Sequence, residues 1–202
     1  MKIICIGRNY SDHAKEMNAE IPEEPMFFMK PDTALFREKD FYMPEFTNDL
    51  HHEVELVVKI SKVGKHISLQ NAPNYYEEIG LGIDFTARDV QKICKEKGWP
   101  WEKAKSFDNS AVISNHFIPK SQLDLQNISF SLQKNNTLVQ NGNSNQMIFS
   151  IEAIIAYVSK FITLKPGDLF YTGTPEGVGQ VKIGDELKGF LQNHELFHLK
   201  IK

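Results

Sequence analysis

Two short stretches of the chain combine residue types and spacing that could do chemistry. His51-His52-Glu53-Val54-Glu55 leads into Glu53-Val54-Glu55-Leu56-Val57-Val58, a run with strand character. Side chains two apart on a strand project from the same face, so Glu53 and Glu55 are spaced to grip one cation. Asp84 follows a short apolar and glycine run and opens Asp84-Phe85-Thr86-Ala87-Arg88-Asp89, which makes it a candidate third carboxylate. Three oxygen donors without a thiolate suit a hard ion such as Mg²⁺, Mn²⁺ or Ca²⁺. A solvated face of an edge strand would show the same Glu-x-Glu spacing. The company of these acids argues for more, because His51, His52, Thr86, Arg88, Asp89 and Gln91 crowd polar groups beside apolar strand residues. That density costs desolvation energy unless the groups find partners or an ion.

Three further segments carry candidate chemistry. His13 and Glu16 stand at i and i+3 of a short helix, where a carboxylate can orient an imidazole and raise its basicity toward water. An exposed His and Glu on a solvated helix face is the plainer reading. Lys103 and Lys105 lie in Trp101-Glu102-Lys103-Ala104-Lys105-Ser106-Phe107-Asp108. A lysine aimed at a carboxylate site would stay charged and could bind an oxyanion or enolate, and composition leaves open which of the two points inward. Thr172-Gly173-Thr174-Pro175-Glu176-Gly177-Val178-Gly179 is a glycine-rich turn after a strand. It lacks the Gly-Lys-Ser/Thr of a phosphate loop and the spacing of a dinucleotide fingerprint. Its glycines suggest close backbone approach to a small ligand, with Thr174 donating to it.

These residues need a scaffold, and the hydrophobic pattern supplies one. Strands are expected at Lys2 to Ile6, Pro25 to Met29, His52 to Ser61, Leu81 to Phe85, residues 111 to 118 and 127 to 133, Asp168 to Tyr171, Glu186 to Leu191 and Leu196 to Ile201. Asn135-Asn136 reads as a hairpin turn. Helices are expected from Ser11 or Asp12 to Met17, from Ala72 to Glu78, from Thr86 as cap to Glu96, and from Ser150 to Phe161, the last with Ile151, Ile154, Ile155, Val158 and Phe161 on one stripe. Residues 18 to 25 read as an exposed loop and Pro31 to Phe46 as irregular. Strands outnumber helices and do not alternate with them, so the fold class expected is mixed α+β.

Composition bounds the function. The 202 residues are 41% apolar and 24% charged, which fits a globular chain with a sizeable core. A net charge of −3 gives no basis for nucleic-acid binding. The two cysteines, Cys5 and Cys94, lack metal-ligand spacing and are too few for a disulfide framework, so buried thiols in a cytoplasmic protein are expected. No apolar run approaches the ~18–20 residues of a membrane helix, and the apolar start Ile3-Ile4-Cys5-Ile6 is too short for a signal peptide.

Taken together the segments closely resemble the fumarylacetoacetate hydrolase family, in its small acylpyruvase and oxaloacetate decarboxylase-like branch. The resemblance runs through Gly7-Arg8-Asn9-Tyr10 with His13 and Glu16, Phe28-Met29-Lys30-Pro31, His51-His52-Glu53-Val54-Glu55 and Asp84-Phe85-Thr86-Ala87-Arg88-Asp89-Val90-Gln91. It continues through Ala104-Lys105-Ser106-Phe107-Asp108, Met147-Ile148-Phe149-Ser150 and Thr172 to Gly179. It implies a mixed β-sandwich or roll of the family's C-terminal domain type, a single catalytic domain over residues 1–202, and a lid at residues 11–24. It implies Glu53, Glu55 and Asp84 as ligands of Mg²⁺, with Mn²⁺ tolerated. His13 and Glu16 match the water-activating dyad, Lys105 the lysine beside the metal, and Arg88, Gln91 and Thr174 the substrate contacts. The activity implied is Mg²⁺-dependent hydrolysis of acylpyruvates, which are 2,4-dioxo acids, through a pyruvate enolate, with oxaloacetate decarboxylation at the same site. The alternatives are a 2-hydroxyhepta-2,4-diene-1,7-dioate isomerase, an oxaloacetate tautomerase, or a metal-dependent 2-oxo acid binding protein. A homodimer is implied by the resemblance alone.

Overall fold

The strands that carry Glu55 and Asp84, Val54–Ile60 and Tyr76–Asp84, pair antiparallel in the middle of the largest sheet. The computed structural model describes residues 1–11, 16 and 20–202. Among these the sheet runs Met26–Lys30, Ile3–Gly7, Leu169–Tyr171, Val54–Ile60, Tyr76–Asp84, Ala111–Ile113, Leu35–Phe36, with Ile118–Pro119 joining Tyr76–Asp84. Two of its pairings are parallel, Ile3–Gly7 with Leu169–Tyr171 and Leu35–Phe36 with Ala111–Ile113. A second sheet runs Thr137–Asn143, Ser129–Lys134, Glu186–Leu191, His194–Ile201, Asp40–Phe41. A third joins Gly179–Gln180, Leu50–His52 and Thr86–Ala87. With few helices among so many strands, this is the mixed α+β roll the sequence leads one to expect.

Alternation along Val54–Ile60 sorts chemistry from packing. Val54, Leu56, Val58 and Ile60 face one way and join Phe130, Leu132, Leu187, Leu191 and Leu199 of the second sheet in the main core. Val57 faces the other way, into a smaller cluster with Ile3, Cys5, Ala111, Leu169 and Tyr171. Glu55 shares that second face by the period of two; the strand expected from His52 to Ser61 is broken at Glu53, which lies between Leu50–His52 and Val54–Ile60. Directly across the ladder from Glu55 is Gly82. A Cβ there would fall 2.4 Å from Val112 O and 2.7 Å from the Tyr171 ring, so only glycine lets Tyr171 pack beneath the site.

Several boundaries differ from the sequence expectation. Ala72 to Glu78 is not a helix: a single 3₁₀ turn, Ala72–Tyr75, with Pro73 near its start, gives way to the long strand Tyr76–Asp84. Tyr76, Ile79, Leu81 and Ile83 are all buried in the main core, and Glu78 pairs across the ladder with Lys59 at 3.0 Å. Burial in the sheet wins over local helix propensity. The helix Arg88–Lys97 has Ala87 at its cap without a side-chain bond. Thr86 instead pairs with His51 in the third sheet. The helix ends at Gly98, whose φ of 64° is left-handed. The late helix is Ile151–Val158, capped by Ser150 onto Ala153 N. Phe161 falls beyond it and is exposed. Residues 111 to 118 form two short strands, and Pro31 to Phe46 contains a 3₁₀ turn and two two-residue strands. Asn135 and Asn136, at φ 53° and 63°, make the expected hairpin turn.

Candidate functional site

Glu53, Glu55 and Asp84 are all buried, and one carboxylate oxygen from each lies within 4.8 Å of the others. The fold brings them together simply. Glu55 lies on Val54–Ile60, Glu53 sits in the one-residue break between Leu50–His52 and that strand, and Asp84 ends the neighbouring strand with its N–H donated to Glu53 O at 2.9 Å. Three cations surround them. Lys105 Nζ sits 2.8 Å from Glu53 Oε2 and 2.7 Å from Asp84 Oδ2. Arg88 Nη2 sits 2.5 Å from Glu53 Oε1. Lys30 Nζ sits 2.7 Å from Asp84 Oδ1.

The lysines play different parts. Lys105 is buried. Burial alone would drive its proton off, but the charges of Asp84 and Glu53 reverse this and hold it protonated well above the ordinary lysine range. Lys103, the other candidate, is exposed near the Trp99 ring. Lys30 aims its hydrogen bonds at Ser110 O and Ser110 Oγ, both at 3.0 Å. It lies close to Asp84 Oδ1 at an angle that makes an ion pair but no hydrogen bond, so that buried oxygen has no aligned donor. Sequence reasoning missed Lys30. Its signal was a lysine closing the apolar run Phe27-Phe28-Met29 before Pro31.

Glu55 is held by the glycine-rich turn. Gly173 N donates to Glu55 Oε2 at 2.6 Å. Gly173 has φ 101°, and a Cβ there would meet Asn9 Cβ at 2.7 Å. Asn9, also buried, clamps the same turn through Thr172 O at 2.8 Å and the 147–149 segment through Phe149 O and N. Gly173 thus makes room for Asn9 and offers its N–H to Glu55. Burial, then the nearby charges of Asp84 and Glu53, push the Glu55 carboxyl well above its usual range. A buried carboxyl resisting ionisation beside two others, with one Asp84 oxygen lacking a donor, is the donor set a hard divalent cation fits.

The remaining candidates divide into those the structure gathers and those it does not. Arg88, Gln91, Thr174 and Lys105 line one cleft with the three acids, closed on its other sides by Phe28, Met26 and Trp101. Arg88 Nη1 donates to Gln91 Oε1 at 2.8 Å, which fixes the guanidinium over Glu53. Behind Thr174, Gln140 donates from Nε2 to Thr174 Oγ1 at 2.9 Å, a partner with no sequence signal. Glu16 is exposed and accepts from Gly177 N at 3.1 Å, on the glycine-rich turn. His13 lies outside the described residues, as does most of the lid expected at 11–24 before Glu20, so its pairing with Glu16 is not described. Cys5 and Cys94 are buried free thiols, as expected. Burial first, then the charge of Asp84, raises Cys5 and keeps it neutral.

The chain is 46% identical over 202 residues to "Oxaloacetate tautomerase FAHD1, mitochondrial" of Mus musculus, covering 99% of this chain and 91% of the mouse protein. It is 44% identical over 190 residues to "Oxaloacetate decarboxylase, mitochondrial" of Dictyostelium discoideum, covering 93% and 87%. The fold matches the crystal structure of fumarylpyruvate hydrolase from Pseudomonas aeruginosa in complex with Mn²⁺ and pyruvate, with a TM-score of 0.93 at 37% identity over 100% of this chain and 89% of that one. The description "Fumarylacetoacetate (FAA) hydrolase C-terminal" fits residues 2–202, and the chain belongs to the fumarylacetoacetate hydrolase family.

Proposed function

We propose that this protein is a Mg²⁺-dependent enzyme, tolerant of Mn²⁺, that interconverts the keto and enol forms of oxaloacetate. The observation that carries this reading is the buried trio Glu53, Glu55 and Asp84 facing Lys105 and Arg88 in one cleft, in a chain 46% identical to an oxaloacetate tautomerase. The cation, when held by the trio, would act as a Lewis acid toward the 2-oxo group. Lys105 is fixed and charged, so it offers a preorganised positive group where enolate charge develops. Arg88, Gln91 and Thr174 supply donors for the substrate carboxylate and orient it in the cleft. Tautomerisation moves one proton between C3 and the 2-oxo oxygen and needs no co-reactant. His13, supported by Glu16, is the base proposed for that proton.

Hydrolysis of acylpyruvates, which sequence reasoning ranks first, is the second reading. The likeness to a fumarylpyruvate hydrolase supports it. The Glu16 contact with Gly177 N ties the dyad's carboxylate to the turn beside Thr174 and serves both readings. Decarboxylation of oxaloacetate and isomerisation of a hydroxy-dienedioate pass through the same enolate and remain within reach of the site. A non-catalytic 2-oxo acid binding protein finds no support in relatives named for catalysis. The homodimer is a proposal on family likeness, and the cytoplasmic location is one on the short apolar start and the two thiols of the sequence. No helix among the described residues is long and apolar enough to cross a membrane, and the mouse relative is named mitochondrial.

The deciding experiment assays the Mg²⁺-loaded protein on both oxaloacetate tautomers and on acetylpyruvate. The tautomerase reading expects rapid enol–keto conversion with slower CO₂ release and slower hydrolysis. Acetylpyruvate cleavage as the fastest reaction, reduced ~10²- to 10⁴-fold in His13→Ala, would put the hydrolase first.

A further inference from the structure

The cleft holds more positive charge than its acids use. Glu53 and Asp84 are ion-paired with Lys30, Arg88 and Lys105, so three cations already stand against the three acids of the trio. Arg8 and Lys95 line the same cleft. Among the described residues neither has a carboxylate partner. Arg88, Gln91 and Lys95 stand at i, i+3 and i+7 of the helix Arg88–Lys97, a single stripe of helical faces, and all three reach the cleft. Lys95 Nζ lies 5.5 Å over the ring of Trp101, another wall of the cleft. Arg8 is held at φ 57° at the end of the strand Ile3–Gly7. A non-glycine residue in that region is strained, and such strain gathers at ligand-binding positions.

We propose that Arg8 and Lys95 form the receptor for the second carboxylate of a dicarboxylic 2-oxo acid. This deepens the functional reading above and rests on it. The acids' end of the cleft takes the carboxylate and 2-oxo group common to all 2-oxo acids. The Arg8–Lys95 end is the part that tells a dicarboxylate from a monocarboxylate. Two unpaired cations in a partly enclosed cleft repel each other, and an anion between them relieves that repulsion. The proton affinity of Lys95 reflects the crowding, being lowered by partial burial and then by the charges of Arg88 and Arg8. A monocarboxylic ligand leaves that repulsion in place, whereas oxaloacetate removes it. Specificity then comes from an unsatisfied charge left behind by the wrong ligand.

The test compares wild type with Lys95→Met and Arg8→Gln, each loaded with Mg²⁺. Oxalate and pyruvate carry only the half of the substrate that meets the acids, so their inhibition constants report that end. The affinity for oxaloacetate reports both ends. A charged hydrogen bond of ordinary strength corresponds to about a 10- to 100-fold change in affinity. The proposal expects each variant to raise the KM for oxaloacetate by about that factor, while the constants for oxalate and pyruvate shift at least fivefold less. Lys95→Arg should restore most of the loss. Equal shifts for all three ligands would mean that the residues shape the whole cleft, and no shift would mean that they do not touch the ligand; either result overturns the proposal. Should the wild-type enzyme bind oxaloacetate without converting it, the functional reading fails, while the same comparison of dissociation constants by calorimetry still decides the subsite.

Discussion

Replacing Gln140 by Met should loosen the site from behind. Gln140 lies on Thr137–Asn143 of the second sheet and is 1% exposed. Its Oε1 accepts from Val54 N at 3.0 Å and faces His52 Nδ1 at 2.9 Å. An amide oxygen only accepts, so the network assigns the His52 proton to Nδ1. Its Nε2 donates to Thr174 Oγ1 at 2.9 Å and to Pro175 O at 3.0 Å. One buried side chain thus ties the strand of Glu55 to the turn of Thr174. Methionine keeps the length and loses all four contacts. Val54 N, His52 Nδ1 and Pro175 O are then left unpaired, and at ~1–3 kcal/mol for each buried orphan the low end gives a loss of about 3–6 kcal/mol. At about 2–4 °C per kcal/mol for a domain of this size, Tm should fall by about 6–24 °C. Thermal melting in EDTA, followed by circular dichroism, measures this without the contribution of a bound ion. A fall below about 2 °C would refute the reasoning, because it would mean that these groups find other partners or water.

Two further perturbations test the electrostatics. Burial lowers the pKa of His52 to about 4 from 6.5. The folded value lies below the unfolded one, so the stability tied to neutral His52 is present above pH 6.5 and is lost as pH falls toward 4. Urea unfolding should show that loss in wild type and a weaker one in His52→Asn, whose amide can still donate to Gln140; an imidazole that titrates near 6.5 by NMR would contradict it. Lys30→Met removes the cation beside Asp84 and should cost the metal-free protein about 3–5 kcal/mol, the usual result of breaking a buried pair from one side. Added Mg²⁺ should raise the Tm of Lys30→Met more than that of wild type, since the trio then carries less compensating charge, and an equal rise would speak against Lys30 as its counterion.

The acid trio was legible in the sequence because it rests on short-range rules. A period of two aligns Glu53 with Glu55, and a strand end presents Asp84. The hairpin at Asn135-Asn136 and the start of the late helix at Ser150 were legible for the same reason. What sequence reasoning missed depends on distant contacts. Tyr76 to Glu78 looked helical beside Pro73, yet Lys59 and the main core draw it into the sheet. Lys30 and Gln140 reach the site from strands far away in sequence, and neither residue type announces a partner. Gly173 was legible as special, but its neighbour is Asn9, 164 positions earlier in the chain, and no local pattern encodes that contact. Composition did not tell Lys103 from Lys105; the family resemblance pointed to Lys105, and the helix Glu102–Lys105 seats that residue against the trio.

The central claim is that Glu53, Glu55 and Asp84 form one divalent-cation site, and titration calorimetry with Mg²⁺ and Mn²⁺ on wild type and Glu55→Gln tests it most directly. Burial, then Asp84 and Glu53, raise the folded pKa of Glu55 above its unfolded value, so the stability it contributes is present at low pH and lost as pH rises through that raised value. Glu55→Gln should therefore be no less stable than wild type without metal at neutral pH, which separates loss of binding from loss of fold. The account predicts one divalent ion per wild-type chain, an affinity that weakens on acidification as Glu55 retains its proton, and a gain of about 2.7 kcal/mol in stability at a hundredfold excess over Kd. It predicts that Glu55→Gln loses most of that affinity and that wild-type turnover stops after exhaustive chelation and returns with Mg²⁺ or Mn²⁺. Undiminished binding in Glu55→Gln, or full turnover in the chelated enzyme, would contradict it.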